Sequence, residues 1–375
     1  MVLRAVVAPQ EFKGSLTARE AAQAIEAGLR RALPLLEVEL APMADGGPGT
    51  LELLHGARGG ELRRASFRGP LGKPLEAAWL LLDPEPGVPR TAVVEAASTA
   101  GLVLLQPAER DPARASTFGV GQQIRAAIEA GAGRIIVGVG GTGTNDGGAG
   151  AAQALGYRLL DRRGIAVAPG PLALHWLDRV DAGGATPMQD VEVVVAADVT
   201  SPLLGTAGAT SVFGPQKGVS WVQAPRIEAG LARWAALCRR DLGVDIASLE
   251  GGGAGGGLAA GLAAVCGAHI ESGAAAVAEA IGLRSRIAGA DVVVTGEGRL
   301  DAQTARGKAL AFVASLAAEL GKPCYVVVGQ LVERLPGLAG VEVAADGRSE
   351  ADAMSRAAEL VADAAARVGA LLTDS

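Results

Sequence analysis

A chain of 375 residues is too long for one ordinary core and fits two domains of usual size. Hydrophobic residues at 49% and charged residues at 20% lie far from the composition of a disordered chain, and aromatics at only 3% leave the core to Ala, Val, Leu and Ile, which favours helices laid on sheets. A net charge of −6 with no basic stripe interleaved with aromatics speaks against a nucleic-acid partner, so an anionic ligand must be held by local charge.

Leu3 to Ala8 reads as a buried strand, and Thr17 with Glu20 forms a capping box opening a helix that runs to about Leu33. The apolar N-terminal run is broken by Arg4 and followed by Glu11 and Lys13, which is no signal peptide. Cys238, Cys266 and Cys324 are odd in number, with no CxxC and no His pair nearby. A reducing, cytoplasmic setting is therefore expected. Val38 to Ala41 is a second strand leading into Pro42-Met43-Ala44-Asp45-Gly46-Gly47, and a helix follows from about Thr50. From Glu61 to Ala97 three strand-like runs separated by Gly69-Pro70 and by Pro84 to Pro89 predict a meander.

Alternation then resumes. A helix is predicted near Gly121 to Glu129, a strand over Arg134 to Val139, a helix near Gly150 to Leu155 and a strand over Val191 to Ala196. The uncharged run Gly251 to Ile270 approaches membrane-spanning length but is made of Gly and Ala, so no membrane partner is expected. Asp291 to Thr295, Cys324 to Val328 and a segment near Val341 read as strands, with helices near Lys308 to Leu320 and at the C-terminus. The fold class is thus α/β: residues 1–65 and 288–375 form a Rossmann-like parallel-sheet domain from both chain ends, and residues 66–287 an inserted mixed α/β domain with Gly-rich loops.

No GxxxxGK[ST] P-loop exists, since the residue six before Lys308 is Ala302. A GxGxxG does exist at Gly138, Gly140 and Gly143, with Asp161 ending the next strand-like run, but a chain with 54 glycines produces such a pattern easily. More specific are five loops at predicted strand ends: Gln10 to Ser15, Ala44 to Gly47, Gly140 to Gly148, Asp198 to Gly218, and Gly296 to Asp301. Each pairs an acid or a lysine with glycines. Phosphoryl transfer needs those parts: glycines let amides approach phosphate, acids hold Mg²⁺, and lysines offset charge on the transferred group.

Strand-end placement ranks Asp198 first as a base or metal ligand, and favours a site role for Glu297, Arg299 and Asp301 over a local salt bridge. Asp45 and Asp146, each before Gly-Gly, are candidates that also fit ordinary turns. Lys13, Lys217 and Lys308 are candidate binders of phosphate or carboxylate, and Ser98 and Thr99 candidate substrate contacts. His55, His175 and His269 show no nucleophile partner, which speaks against hydrolase chemistry.

These loops, in this order, resemble the type I glycerate kinase family. The resemblance runs through AP-x-x-FKGSL at Ala8 to Leu16, MADGGPGT at Met43 to Thr50, EAASTAGL at Glu95 to Leu102 and RDP at Arg110 to Pro112. It continues through GTNDGGAGAAQALG at Gly143 to Gly156 with Asn145, DVTSPLLG at Asp198 to Gly205, FGPQKG at Phe213 to Gly218 and TGEGRLDAQTARGK at Thr295 to Lys308. It implies ATP- and Mg²⁺-dependent phosphorylation of D-glycerate, usually at the 2-hydroxyl, in the cleft of a two-domain protein. Asp198, Asp301 and Lys13 would then be catalytic, with Asp198, Glu297 and Asp301 toward the metal. The chain departs from the family at Gln10-Glu11, where Asp-Ser is usual, and at Leu310 and Phe312, where Pro and Gly are usual. Two other readings stay open: an NAD-dependent Rossmann oxidoreductase using Gly138, Gly140, Gly143 and Asp161, and a non-catalytic binder of small hydroxy acids. Self-association into a homo-oligomer is left open by the sequence.

Overall fold

The computed structural model describes residues 2–300 and 309–373. Two compact units result: a terminal unit of Met1–Asp45 with Ser272–Ser375, and an inserted unit of Gly46–Glu271. The architecture is α/β throughout, with one unit built from both chain ends. The sequence reading set the boundaries near 65 and 288. The earlier boundary at 45 follows from the partners of the next elements, because the strand starting at Glu61 pairs antiparallel with the one ending at Leu81, inside the inserted unit.

The terminal unit begins with strand β1 (Arg4–Val7), helix α1 (Ala18–Ala32) and strand β2 (Glu37–Leu40). The capping box is present as expected: the Thr17 hydroxyl accepts from the Glu20 amide, and the Glu20 carboxylate accepts from the Thr17 amide at 2.8 Å. That satisfies two of the amides a helix start leaves open.

The inserted unit follows with α2 (Thr50–Arg58), the meander β3 (Glu61–Arg68), β4 (Pro74–Leu81) and β5 (Thr91–Glu95), then α3 (Ala97–Ala100), α4 (Phe118–Glu129), β6 (Arg134–Gly138) and α5 (Ala149–Ala154). Strands β7 (Arg158–Leu160) and β8 (Arg179–Asp181) form a separate antiparallel pair. After β9 (Glu192–Ala196) come α6 (Ala209–Phe213), α7 (Ala224–Leu237), α8 (Leu258–Cys266) and β10 (His269–Glu271). The main sheet runs β10-β9-β6-β5-β4-β3, parallel from β10 to β5 and antiparallel beyond, so the predicted meander is the edge of a larger mixed sheet. Burial is nearly complete along β5, β6 and β9, which explains their unbroken Val, Ile and Ala runs.

The chain then returns to the terminal unit through α9 (Gly273–Ala280), α10 (Leu283–Ala288), β11 (Val292–Leu300), α11 (Ala309–Glu319), β12 (Cys324–Leu331), β13 (Gly340–Val343), α12 (Glu350–Ser355) and α13 (Ala357–Thr373). All five strands are parallel in the order β13-β12-β11-β1-β2. From β1 the chain steps outward one way to β2, and from β11 the other way to β12 and β13. The boundary between β1 and β11 is the topological switch point, where side chains beyond the carboxyl ends are left room for a ligand.

One sequence expectation is corrected here. Gly296 to Leu300, read as a loop, continues β11, with Glu297 opposite Val328 and Arg299 opposite Gln330. Pairing with β12 supplies the order that the glycines would not supply alone. Among the described residues no helix is long and apolar enough to cross a membrane, and α8 covers only Leu258–Cys266 of the uncharged run. The three cysteines are free and buried.

Candidate functional site

The sequence candidates fall into two groups, one in each unit. In the terminal unit a cavity of about 460 Å³ opens at the switch point. Lys13 reaches it from the segment after β1, Asp45 from the segment after β2, and Glu297 and Arg299 from β11. The last two stand two apart on a strand and therefore share one face. Gln10 also lines the cavity, and its amide donates to Asp45 Oδ2 at 3.1 Å. An amide at position 10 thus orients the neighbouring acid. Glu11, the carboxylate beside it, lines the same cavity. Asp301 and Lys308 lie outside the described residues.

In the inserted unit the carboxyl edge of the parallel strands gathers four sequence motifs. The Gly46-Gly47 turn lies backbone to backbone on β6 and β9: a Cβ on Gly138 would stand 2.1 Å from Gly46 O, and one on Gly46 2.8 Å from the Ala196 methyl. Only glycines permit that approach. Glu95, at the end of β5, accepts from the Leu51 amide at 2.8 Å and faces those of Gly49 and Thr50, so it caps α2. Beyond β9 comes Asp198, half-buried. Ser98 and Thr99 are engaged internally: the Ser98 hydroxyl donates to Glu95 O at 2.7 Å, and Thr99 donates to Gln123 at 3.0 Å.

Beyond β6 lies the fourth motif, a buried polar cluster. Asp146 accepts from the Thr117 amide at 2.9 Å, the Thr117 hydroxyl at 3.0 Å, and the amides of Gly148 and Gly150 at 3.2 Å each. Burial raises its pKa, against those hydrogen bonds. Lys217 is only 3% exposed, and its ammonium donates to Thr144 O at 2.7 Å and Thr142 Oγ1 at 3.3 Å. Asn145 Nδ2 donates to Thr210 Oγ1 at 3.1 Å, while Asn145 Oδ1 and Thr144 Oγ1 are buried and have no hydrogen-bond partner among the described residues. The glycine run makes this enclosure feasible: Gly256 has φ +71°, and a Cβ there would lie 2.0 Å from Thr144 O and 2.9 Å from Lys217 Nζ. Lys217 therefore acts as an internal brace for the Thr142–Asp146 turn.

Glu95 and Lys217 give this unit a testable pH dependence. Burial pushes the Glu95 carboxyl up to about 7, so between the ordinary value of 4.5 and 7 the native state holds more protons than the unfolded one. Its stability contribution therefore falls as pH rises through that window. Burial brings the Lys217 ammonium down to about 7 from 10.5, partly offset by Asp146, so the unfolded state holds more protons above 7 and stability rises with pH there. Glu95→Gln, whose amide oxygen can still accept from Leu51, should flatten the loss between pH 5 and 7, and Lys217→Met should flatten the gain between pH 8 and 10. Urea midpoints across that range would read both slopes, and unchanged slopes would disprove the assignments.

The Rossmann oxidoreductase reading loses its support here. Asp161 follows β7, in the separate antiparallel pair, and its carboxylate is held by the amides of Arg163 and Ile165 and by the Arg163 guanidinium. Gly143 does not open a helix, because α5 begins only at Ala149. The strand, glycine turn, helix geometry of a dinucleotide site is absent at this loop.

Sequence signals could have found Glu95. It closes the apolar run of β5 within EAASTAGL, much as Asp198 follows the apolar run of β9, and is not among the sequence candidates.

A family model described as the glycerate kinase family matches residues 5–373. Glycerate 2-kinase of Escherichia coli K12 is 40% identical over 332 residues, covering 88% of this chain and 86% of that protein. Glycerate kinase of Bacillus subtilis 168 is 40% identical over 330 residues, covering 88% and 85%. A solved structure described as a glycerate kinase 2 of Salmonella typhimurium LT2 superposes with a TM-score of 0.89 at 40% identity, covering 100% of this chain and 99% of that one.

Proposed function

Since the chain belongs to the glycerate kinase family and is a kinase, we propose that it transfers the terminal phosphoryl group of ATP, with Mg²⁺, to the 2-hydroxyl of D-glycerate. The observation that carries this reading is the cavity at the switch point, where Lys13 and Arg299 stand with Glu297 and Asp45. Cations alone would suit any anion. Cations with carboxylates suit a phosphate chain that brings a divalent ion, since two acids beside a bare triphosphate would repel it. Among the described residues no group of three or more His, Cys, Asp or Glu could hold a metal alone. Mg²⁺ is commonly bound by one or two carboxylates plus substrate phosphates and keeps several waters. Glu297 and Asp45 are the described residues that would hold it; bound there, it would neutralise charge on the phosphate oxygens. Name and identity of the Escherichia coli relative support the 2-hydroxyl over the 3-hydroxyl.

In the reaction the glycerate hydroxyl oxygen forms a bond to the γ-phosphorus as the bond to the bridging oxygen breaks, with ADP leaving. The hydroxyl proton goes to Asp198, the carboxylate beyond β9. Lys13 and Arg299 offset the charge spread over the transferred group. ATP consumption should require both D-glycerate and Mg²⁺, and product NMR should show phosphate on C2. Turnover without Mg²⁺, or a product phosphorylated on C3, would overturn the corresponding part of this assignment.

A further inference from the structure

The switch-point cavity has an apolar wall of Met354, Ala357, Leu360 and Val361, delivered by α12 and α13. Leu360 and Val361 are buried, whereas Met354 is 44% exposed. Its methyl carbon lies against the turn that carries Lys13: a Cβ on Gly14, where φ is +80°, would stand 3.0 Å from Met354 Cε. The turn closes on itself, with the Phe12 amide donating to Leu16 O at 2.8 Å, and the Ser15 and Leu16 amides donating to Phe12 O at 2.8 and 2.9 Å. It also rests on β11, since a Cβ on Gly298 would stand 3.2 Å from the Lys13 nitrogen. Bare strand backbone and one thioether thus both bear on the Lys13 turn.

Sulfur elsewhere in the chain is shielded. Met43 is fully buried, Met188 packs half-buried against the core of the inserted unit, and Met1 lies outside the described residues. Cys238, Cys266 and Cys324 are buried, which pushes the Cys266 and Cys324 thiols up to about 12 and raises that of Cys238 as well. Oxidants attack thiolates and accessible thioethers, so among the described residues Met354 offers them the most open sulfur.

We propose that Met354 is a site of reversible oxidation that governs the Lys13 turn, with hydrogen peroxide as the oxidant. The thioether sulfur attacks one peroxide oxygen: an S–O bond forms, the O–O bond breaks, and the second oxygen leaves as water with both protons. Sulfur is oxidised by two electrons and the peroxide is reduced. The product sulfoxide is polar, and sulfoxide reductases return it to the thioether. An oxygen one bond from the methyl that meets Gly14 favours water over the apolar wall, so the side chain leaves the turn. Helix α12, six residues long with none buried, follows it at little cost. The turn then loses one of its supports, and Lys13 its setting. The kinetic consequence rests on the phosphotransfer reading above, in which Lys13 offsets charge on the transferred group.

The test treats the full-length protein with hydrogen peroxide beside Met354→Leu, which keeps an apolar side chain but has no sulfur. Peptide mass spectrometry should find the added oxygen on Met354 at least about fivefold faster than on Met43 or Met188. Amide hydrogen exchange over residues 10–17 should quicken in the treated parent and stay unchanged in treated Met354→Leu. Each protein is also compared with its own untreated rate: the parent should lose about tenfold in kcat, the scale of a misplaced catalytic cation, and Met354→Leu should lose nothing. A methionine sulfoxide reductase should restore the parent. Oxygen landing first on Met188, or unchanged exchange in a parent that carries the sulfoxide at position 354, overturns the proposal and leaves the kinase reading intact. An untreated protein that consumes no ATP with glycerate removes the phosphotransfer reading, and exchange in the turn still decides the modification.

Discussion

Asp146→Ala is expected to lower the unfolding free energy by about 3 kcal/mol, the scale for leaving more than one buried donor without its acceptor. The carboxylate is fully buried and accepts from three amides and one hydroxyl, spread over Thr117, Gly148 and Gly150. Truncation leaves those amides in a dry interior without acceptors, at roughly 1–3 kcal/mol each before relaxation. It also removes the charge that partly offsets the burial of the Lys217 ammonium. The two losses couple, since they share the Thr142–Asp146 turn, and will not add simply. Asp146→Asn keeps the shape and one acceptor oxygen, so about half the penalty is expected to return. Urea unfolding at pH 7 with an unchanged slope decides the matter. A midpoint for Asp146→Ala close to that of the parent would show that the cluster does not hold the loop.

That cluster marks the boundary of what can be read from residues alone. Asp146 before Gly-Gly is equally a turn residue or a ligand on paper, and Lys217 equally solvated or phosphate-facing. Only the fold reveals that the run 251–257 closes over Lys217 and over the backbone at Thr144, Asn145 and Gly147 on either side of Asp146. Local devices were legible because they act over a few residues: the Thr17–Glu20 capping box, the apolar strands and the acids at their ends. The α/β class followed from their rhythm. Long-range effects were not legible. Pairing with β12 turned the Gly296–Leu300 run from an expected loop into strand. The apolar wall comes from α12 and α13, some 340 residues along the chain from Lys13, and no local pattern links the two. Of the candidates for one charged site, the cavity unites Lys13, Asp45, Glu297 and Arg299, while Lys217 belongs to the interior of the inserted unit.

Asp198→Asn is expected to lower kcat by about a hundredfold or more, the scale of lost general-base help, with a smaller change in ATP affinity. Asp198 follows two residues after the last of β9, whose neighbours β6 and β10 fix it on both sides, and the Ala197 amide donates to Glu271 O at 2.9 Å. The carboxylate thus stands at the start of the loop, two residues from a strand held on both sides, and that proximity limits its movement relative to the sheet. Asn preserves size and polarity but cannot accept that proton. Because phosphoryl transfer depends mainly on alignment and charge, a base contributes less than the metal and cations together, and residual turnover should remain measurable. Steady-state kinetics with D-glycerate saturating, and circular dichroism to verify the fold, provide the measurement. Near-normal kcat in a folded variant would remove Asp198 from the chemistry. Asp146 could not inherit the role, since its oxygens already serve Thr117, Gly148 and Gly150 in the interior. The claim would pass to Asp45, whose carboxylate lines the cavity with Gln10 bonded to one oxygen.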